Sequence, residues 1–98
     1  MAKVLITARA LTDLERLVDF LLDAGAEETA RRAREQIVDA FRVLERHPLI
    51  GRPAQRGLRE LVISFGRAGY VAVYRYRPEE DLILILAVRH QREVSNDG

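Results

Sequence analysis

Ninety-eight residues, 48% of them apolar and 32% charged, with a net charge of +1, fit a single modest globular domain over residues 1–98. That balance excludes a disordered chain, and no apolar stretch approaches the ~20 residues of a membrane span. The near-neutral total argues against nucleic-acid binding through bulk charge, and the absence of cysteine excludes disulfides and thiolate metal sites. With an amino-terminal apolar run too short for a secretory signal, the chain is expected in the cytoplasm.

Val4 to Thr7 reads as a short, buried first strand that passes directly into a helical pattern. Leu11, Leu14, Val18 and Leu21 recur at three- and four-residue spacing, widened by Leu17 and Leu22, and predict an amphipathic helix. Its start lies either near Thr7 and Ala8 or at Thr12, which has capping-box spacing to Glu15, and Gly25 stops it. A second helix is predicted over Glu27 to Arg46, with Ala30, Ala33, Ile37, Ala40 or Phe41, and Leu44 on its apolar stripe and a Glu28–Arg32 pair in support. Pro48 ends it. The short link around Gly25 implies an antiparallel helix hairpin, in which the alanines allow close approach.

Pro48 to Gly57 reads as a loop, adequately explained by the turn residues of Gly51-Arg52-Pro53. Arg59 to Phe65 alternates, with Leu61, Ile63 and Phe65 on one face of a half-buried strand. After a turn at residues 66–69 come a strand over Tyr70 to Arg77, a turn at Pro78 to Asp81, and an unbroken apolar strand over Leu82 to Val88. Both faces of this last strand are apolar, which places it inside the sheet. The expected fold is α+β: a two-layer β-α-α-β-β-β domain with an antiparallel sheet and the helix hairpin on one face.

The last strand runs into Arg89-His90-Gln91-Arg92-Glu93, which puts charge at the lip of the sheet. His90 at the end of a buried strand reads as a hydrogen-bonded anchor, with acid-base chemistry as the competing role. With His47 as the only other histidine, a structural zinc site is not expected. Arg89 and Arg92 fall on opposite sides of an extended chain. They either contact a partner or form salt bridges to Glu60 or Glu93. Tyr70, Tyr74 and Tyr76 share a strand face and read as core rather than as a base-stacking platform, because Arg75 and Arg77 fall on the other face. The polar ending Val94-Ser95-Asn96-Asp97-Gly98 is expected to fray.

Taken with this order of elements, five segments resemble the ParE/RelE superfamily of toxins from toxin-antitoxin operons, over nearly the whole chain. They are Ala10 to Leu14, Leu44 to Gly51-Arg52-Pro53, Arg59-Glu60-Leu61-Val62-Ile63, Gly69-Tyr70 to Tyr74-Arg75, and Val88-Arg89-His90-Gln91-Arg92-Glu93. The resemblance implies a sheet in which the first strand lies beside the last. It also implies one of two activities, ribosome-dependent mRNA cleavage or poisoning of DNA gyrase. Where the nucleases place lysines this chain has Val62 and Ser64, where they place an arginine it has Val71, and Gln91 and Asp97 stand near the terminal arginine and tyrosine positions. Missing donors cost a phosphoryl-transfer site about 3 to 4 kcal/mol each.

The resemblance therefore favours the ParE branch: a binding effector without catalytic residues, cofactor or metal, directed at DNA gyrase. It implies a ParD-like antitoxin in a toxin-antitoxin hetero-oligomer, with no membrane and no direct nucleic-acid contact outside the target complex. Arg52, Arg59, Arg75, Arg89, His90 and Arg92 are the expected gyrase or antitoxin contacts. The alternative is a RelE-like mRNA interferase drawing on Arg59, Arg75, His90 and Arg92, and a third reading is a member that retains antitoxin binding with little toxicity.

Overall fold

The computed structural model describes residues 1–66 and 68–91, and of Ala68 only the backbone. Arg92 and the expected frayed ending at residues 94–98 lie outside the described residues. The element order is β1 (Lys3–Ile6), α1 (Ala8–Asp23), α2 (Glu27–Arg46), β2 (Arg52–Pro53), a 3-10 turn (Gln55–Gly57), β3 (Arg59–Phe65), β4 (Ala68–Arg77) and β5 (Leu82–His90). The strands form one sheet in the order β1-β5-β4-β3-β2.

α1 starts at the earlier of the two expected positions. Thr7 is its N-cap: the hydroxyl accepts from the Ala10 N–H at 3.3 Å and donates to the Ile85 carbonyl at 2.8 Å, fastening the helix start to β5. α1 ends in a Schellman arrangement, with the Gly25 N–H on the Leu22 carbonyl, the Ala26 N–H on the Leu21 carbonyl, and Gly25 at φ +76°. α2 spans the expected residues and buries Ala30, Ala33, Ile37, Phe41 and Leu44. Glu28 pairs with Arg31 rather than with Arg32, whose guanidinium instead lies 6.0 Å from the centroid of the Phe65 ring.

β3, β4 and β5 form the expected antiparallel meander, and β5 lies inside the sheet, between β1 and β4. β1 corrects two expectations. It runs parallel to β5, so the sheet is mixed rather than wholly antiparallel, and it is an edge strand on which Leu5 and Ile6 stay exposed. The parallel pairing is made across a long connection, since the helix hairpin and strands β2 to β4 all lie between β1 and β5 in the chain. The loop after α2 also holds the two-residue β2, paired with Glu60 and Arg59 on the far edge.

One register shift sets the chemistry of both faces. Tyr74 pairs with Ile85 and Val73 with Ala87, which leaves Leu86 as an extra residue in β5. Ile83 and Ile85 face the helices, and beyond the bulge the phase reverses, so Val88 faces them as well. Asp13, buried on α1, accepts from the Val88 N–H at 3.0 Å just past the bulge. The core lies between this inner face and the hairpin, with Tyr70, Ala72, Tyr74, Ile83 and Ile85 against Ala33, Ile37, Phe41 and Leu44.

Candidate functional site

Residues paired across neighbouring strands share a sheet face, so the register assigns each candidate to a side. Arg89 opposes Val71, Arg75 opposes Leu84, and Glu60 opposes both Val73 and Arg52. These lie on the outer face, opposite the one packed against α1 and α2. Arg59 opposes Tyr74 and His90 opposes Tyr70, on the inner face. The expected contacts therefore do not form one patch: Arg52, Arg75 and Arg89 share the open face, Arg59 and His90 face the core side, and Arg92 lies outside the described residues.

On the open face Glu60 joins two of the arginines. Its Oε1 accepts from Arg52 Nε at 3.1 Å and lies 3.0 Å from Arg52 Nη2, while its Oε2 accepts from Arg89 Nη2 at 3.0 Å. Of the two roles foreseen for Arg89, this is the salt bridge to Glu60. The Arg89–Glu60 bond spans β4, crossing above Val71 and Val73. Two strand spacings come to about 10 Å, so the arginine stem must lie flat over these valines. Val71 is 1% exposed and Val73 8%. Arg89 Nε is buried without a hydrogen-bond partner among the described residues. Arg75 forms no ion pair among them and borders a polar cleft with Gly57, Arg77 and Glu80.

Arg59 serves the backbone instead. Its Nη1 donates to the carbonyls of Leu49 at 3.1 Å and Gly51 at 2.7 Å. From the same side the Tyr74 hydroxyl donates to the Pro48 carbonyl at 2.8 Å and accepts from the Gly51 N–H at 2.9 Å. The loop between α2 and β2 is thus pinned from beneath by two side chains. Burial holds the Tyr74 phenol above its usual pKa, with the Gly51 hydrogen bond and the Arg59 charge opposing that shift. His90 stands edge-on to Tyr70, ring centroids 5.7 Å apart at 85°. Among the described residues no group of three His, Cys, Asp or Glu side chains is placed to hold a metal.

A second feature lies on the hairpin. Leu11, Leu14, Val18 and Leu22 of α1 and Ile37 and Val38 of α2 line a groove of about 470 Å³, with Glu15, Asp19 and Arg34 at its rim. It is the outward half of the two helix stripes, left over once their inward halves are packed. No helix among the described residues is long and apolar enough to cross a membrane.

Sequence reasoning missed Thr7 and Asp13 as the groups that hold the bulge, and Glu60 as the hub of the open face. Asp13 carried a signal, since it sits three residues from Ala10 on the buried side of α1, where a carboxylate needs a donor.

The comparisons with known proteins agree with this geometry. The family model for the ParE toxin of the type II toxin-antitoxin system parDE matches residues 4–95. Toxin RelE3 of Caulobacter vibrioides is 38% identical over 93 residues, covering 95% of this chain and 98% of that toxin. The chromosomal ParDE toxin-antitoxin system of P. aeruginosa contains a chain that superposes with a TM-score of 0.72 at 25% identity, over 91% of this chain and 95% of that one. A chain of the toxin-antitoxin complex RelBE2 of Mycobacterium tuberculosis does so at 0.58 with 30% identity, over 92% and 98%. With the helix hairpin, the mixed five-stranded sheet and the family match all covering the same residues, the chain belongs to the ParE toxins of type II toxin-antitoxin systems, within the ParE/RelE superfamily.

Proposed function

We propose that this toxin acts by binding, with DNA gyrase as its target, and is neutralised by a ParD-like antitoxin. The observation that carries the reading is the open sheet face. There Val62, Ser64 and Val71 stand where the nuclease relatives place basic residues, and both Arg89 and Arg52 are engaged by Glu60. Phosphoryl transfer needs donors aimed at a developing negative charge. Here the arginines are aimed at an internal carboxylate, and His90 lies on the opposite side of the sheet.

The antitoxin is assigned to the groove between α1 and α2, where an amphipathic segment buries Leu11, Leu22 and Val38. Arg52, Arg75 and Arg89 are assigned to partner contact on the open face. The relative's name, Toxin RelE3, favours mRNA cleavage as the second reading.

Gyrase supercoiling and cleavage assays test the first reading: the purified toxin should inhibit supercoiling or accumulate cleaved DNA. Undisturbed turnover at excess toxin refutes it. Primer extension on ribosome-bound message tests the second, which requires new cleavage ends.

A further inference from the structure

The groove between α1 and α2 is apolar along its floor and divided in charge along its walls. Leu11, Leu14, Val18 and Leu22 follow one another at three- and four-residue spacing on α1, so they form a single ridge, and Ile37 and Val38 line the same groove from α2. Glu15 and Asp19 stand on the α1 wall and Arg34 on the α2 wall, all three exposed. No ion pair crosses between these walls, and among the described residues Glu15, Asp19 and Arg34 form none elsewhere. Other arginines of the hairpin are engaged: Arg16 holds Asp13, Arg31 holds Glu28 and Glu35, Arg42 pairs with Asp39, and Arg32 lies over the Phe65 ring.

On α1 the charge order works against the fold. Glu15, Asp19 and Asp23 recur every four residues, where like charges repel. Asp23 also closes a helix whose last turn has no basic residue to meet its negative end. Folding alone gains nothing from carboxylates in that row, whereas a cationic segment laid along it gains ion pairs with Glu15 and Asp19.

Two antiparallel helices with an apolar ridge between them accept a third helix, whose own ridge packs into the groove. With acids on one wall and a cation on the other, a helix satisfies both when its basic flank lies toward α1 and its acidic flank toward α2. A flank of the wrong sign faces a wall of like charge.

We infer that Glu15, Asp19 and Arg34 select the antitoxin segment that fills this groove: an amphipathic helix with lysine or arginine on the flank toward α1 and aspartate or glutamate on the flank toward α2. This rests on the assignment of the groove to the antitoxin.

The probes are three hydrocarbon-stapled helical peptides that share one leucine face and differ in their flanks. One carries lysine on one flank and glutamate on the other, one lysine on both, and one glutamine on both. Binding to the purified toxin is read by fluorescence anisotropy at low salt, where exposed charges act most strongly. The lysine/glutamate peptide should bind about tenfold more tightly than the glutamine peptide, as a few exposed ion pairs supply. E15Q/D19Q should bring that ratio close to one, and R34Q should erase the preference for lysine/glutamate over lysine on both flanks. The urea midpoint of E15Q/D19Q should hold or rise, because the row of like charges is relieved.

Equal binding of the lysine/glutamate and glutamine peptides overturns the inference and leaves the groove assignment standing. A fall in the urea midpoint of E15Q/D19Q also overturns it, since the acids then serve the fold. So does a dimer of the toxin alone that R34Q dissolves, because a second copy then fills the groove. If none of the peptides binds, the groove assignment falls together with the inference.

Discussion

Asp13→Ala should lower stability by about 2 kcal/mol, a large share of what a domain of this size possesses. The carboxylate is buried and accepts from the Val88 N–H at 3.0 Å, where the bulge at Leu86 has taken β5 out of regular pairing with β4. Truncation leaves that buried donor without an acceptor, and an orphaned buried N–H costs about 1–3 kcal/mol. The ion pair with Arg16 adds little, because Arg16 is 72% exposed. Asp13→Asn keeps a carbonyl oxygen in place and should lose less than about 1 kcal/mol.

Urea denaturation monitored by circular dichroism reads both variants, with the alanine midpoint falling by roughly 1–2 M at unchanged slope. Thr7→Val removes the hydroxyl that donates to the Ile85 carbonyl beside the same bulge. Its cost should therefore combine with that of Asp13→Ala less than additively, by at least about 0.5 kcal/mol. An alanine variant within about 0.5 kcal/mol of wild type, or an asparagine variant as damaged as alanine, refutes the claim that this hydrogen bond supports the bulge.

Three further outcomes follow from the same contacts. Gly51→Ala places a methyl 2.7 Å from the Tyr74 ring and hydroxyl and 2.9 Å from the Glu60 carbonyl, so it should cost about 1–3 kcal/mol in the same urea assay. Glu60→Ala should cost about 1–2 kcal/mol, because it strips the partner from a half-buried Arg89, whereas Arg52→Ala, at a side chain 57% exposed, should cost under about 0.5. Burial raises the Tyr70 and Tyr74 phenols above the ordinary 10.0, so the unfolded chain releases these protons first. Their contribution is then complete below pH 10 and is lost as pH rises through the folded values. Absorbance titration near 295 nm should accordingly show tyrosine ionisation coinciding with loss of circular dichroism above pH 10, and Tyr74→Phe should flatten that loss.

The helices were legible because their chemistry repeats. The stripe from Ala30 to Leu44 and the stops at Gly25 and Pro48 fixed α2 and the hairpin, and alternation at Leu61, Ile63 and Phe65 fixed β3. The bulge was not legible, since every residue from Leu82 to Val88 is apolar and such a run looks the same in either phase. The side on which Arg89 emerges depends on that phase, so the role of Arg89 stayed open between a binding partner and salt bridges to Glu60 or Glu93. β2 is too short for any period to register, and the parallel pairing of β1 is a property of chain path rather than of its four residues. Of the site, the residue types were visible, but their division between two faces was not. The exposed Leu49–Ile50 pair read as ordinary loop because the Tyr74 and Arg59 bonds that turn its backbone inward come from residues 8 to 26 positions away.

The bulge also bears on which ligands the open face can take. Without the extra residue, Arg89 would share the phase of Ile83 and Ile85 and point into the core, where an unpaired guanidinium is not tolerated. With it, Arg89 lies across Val71 and Val73 and ends on Glu60, so any anion reaching this arginine must take the place of a carboxylate. A protein bringing its own carboxylate replaces like with like, and it can also use the apolar surface of Val62 and Leu84. A nucleic acid gains the phosphate contact but finds no ring to stack on, because Phe65, Tyr70, Tyr74 and Tyr76 all pack toward the helices. The exchange therefore favours polypeptide over RNA on this face, from residue placement that is independent of any family comparison.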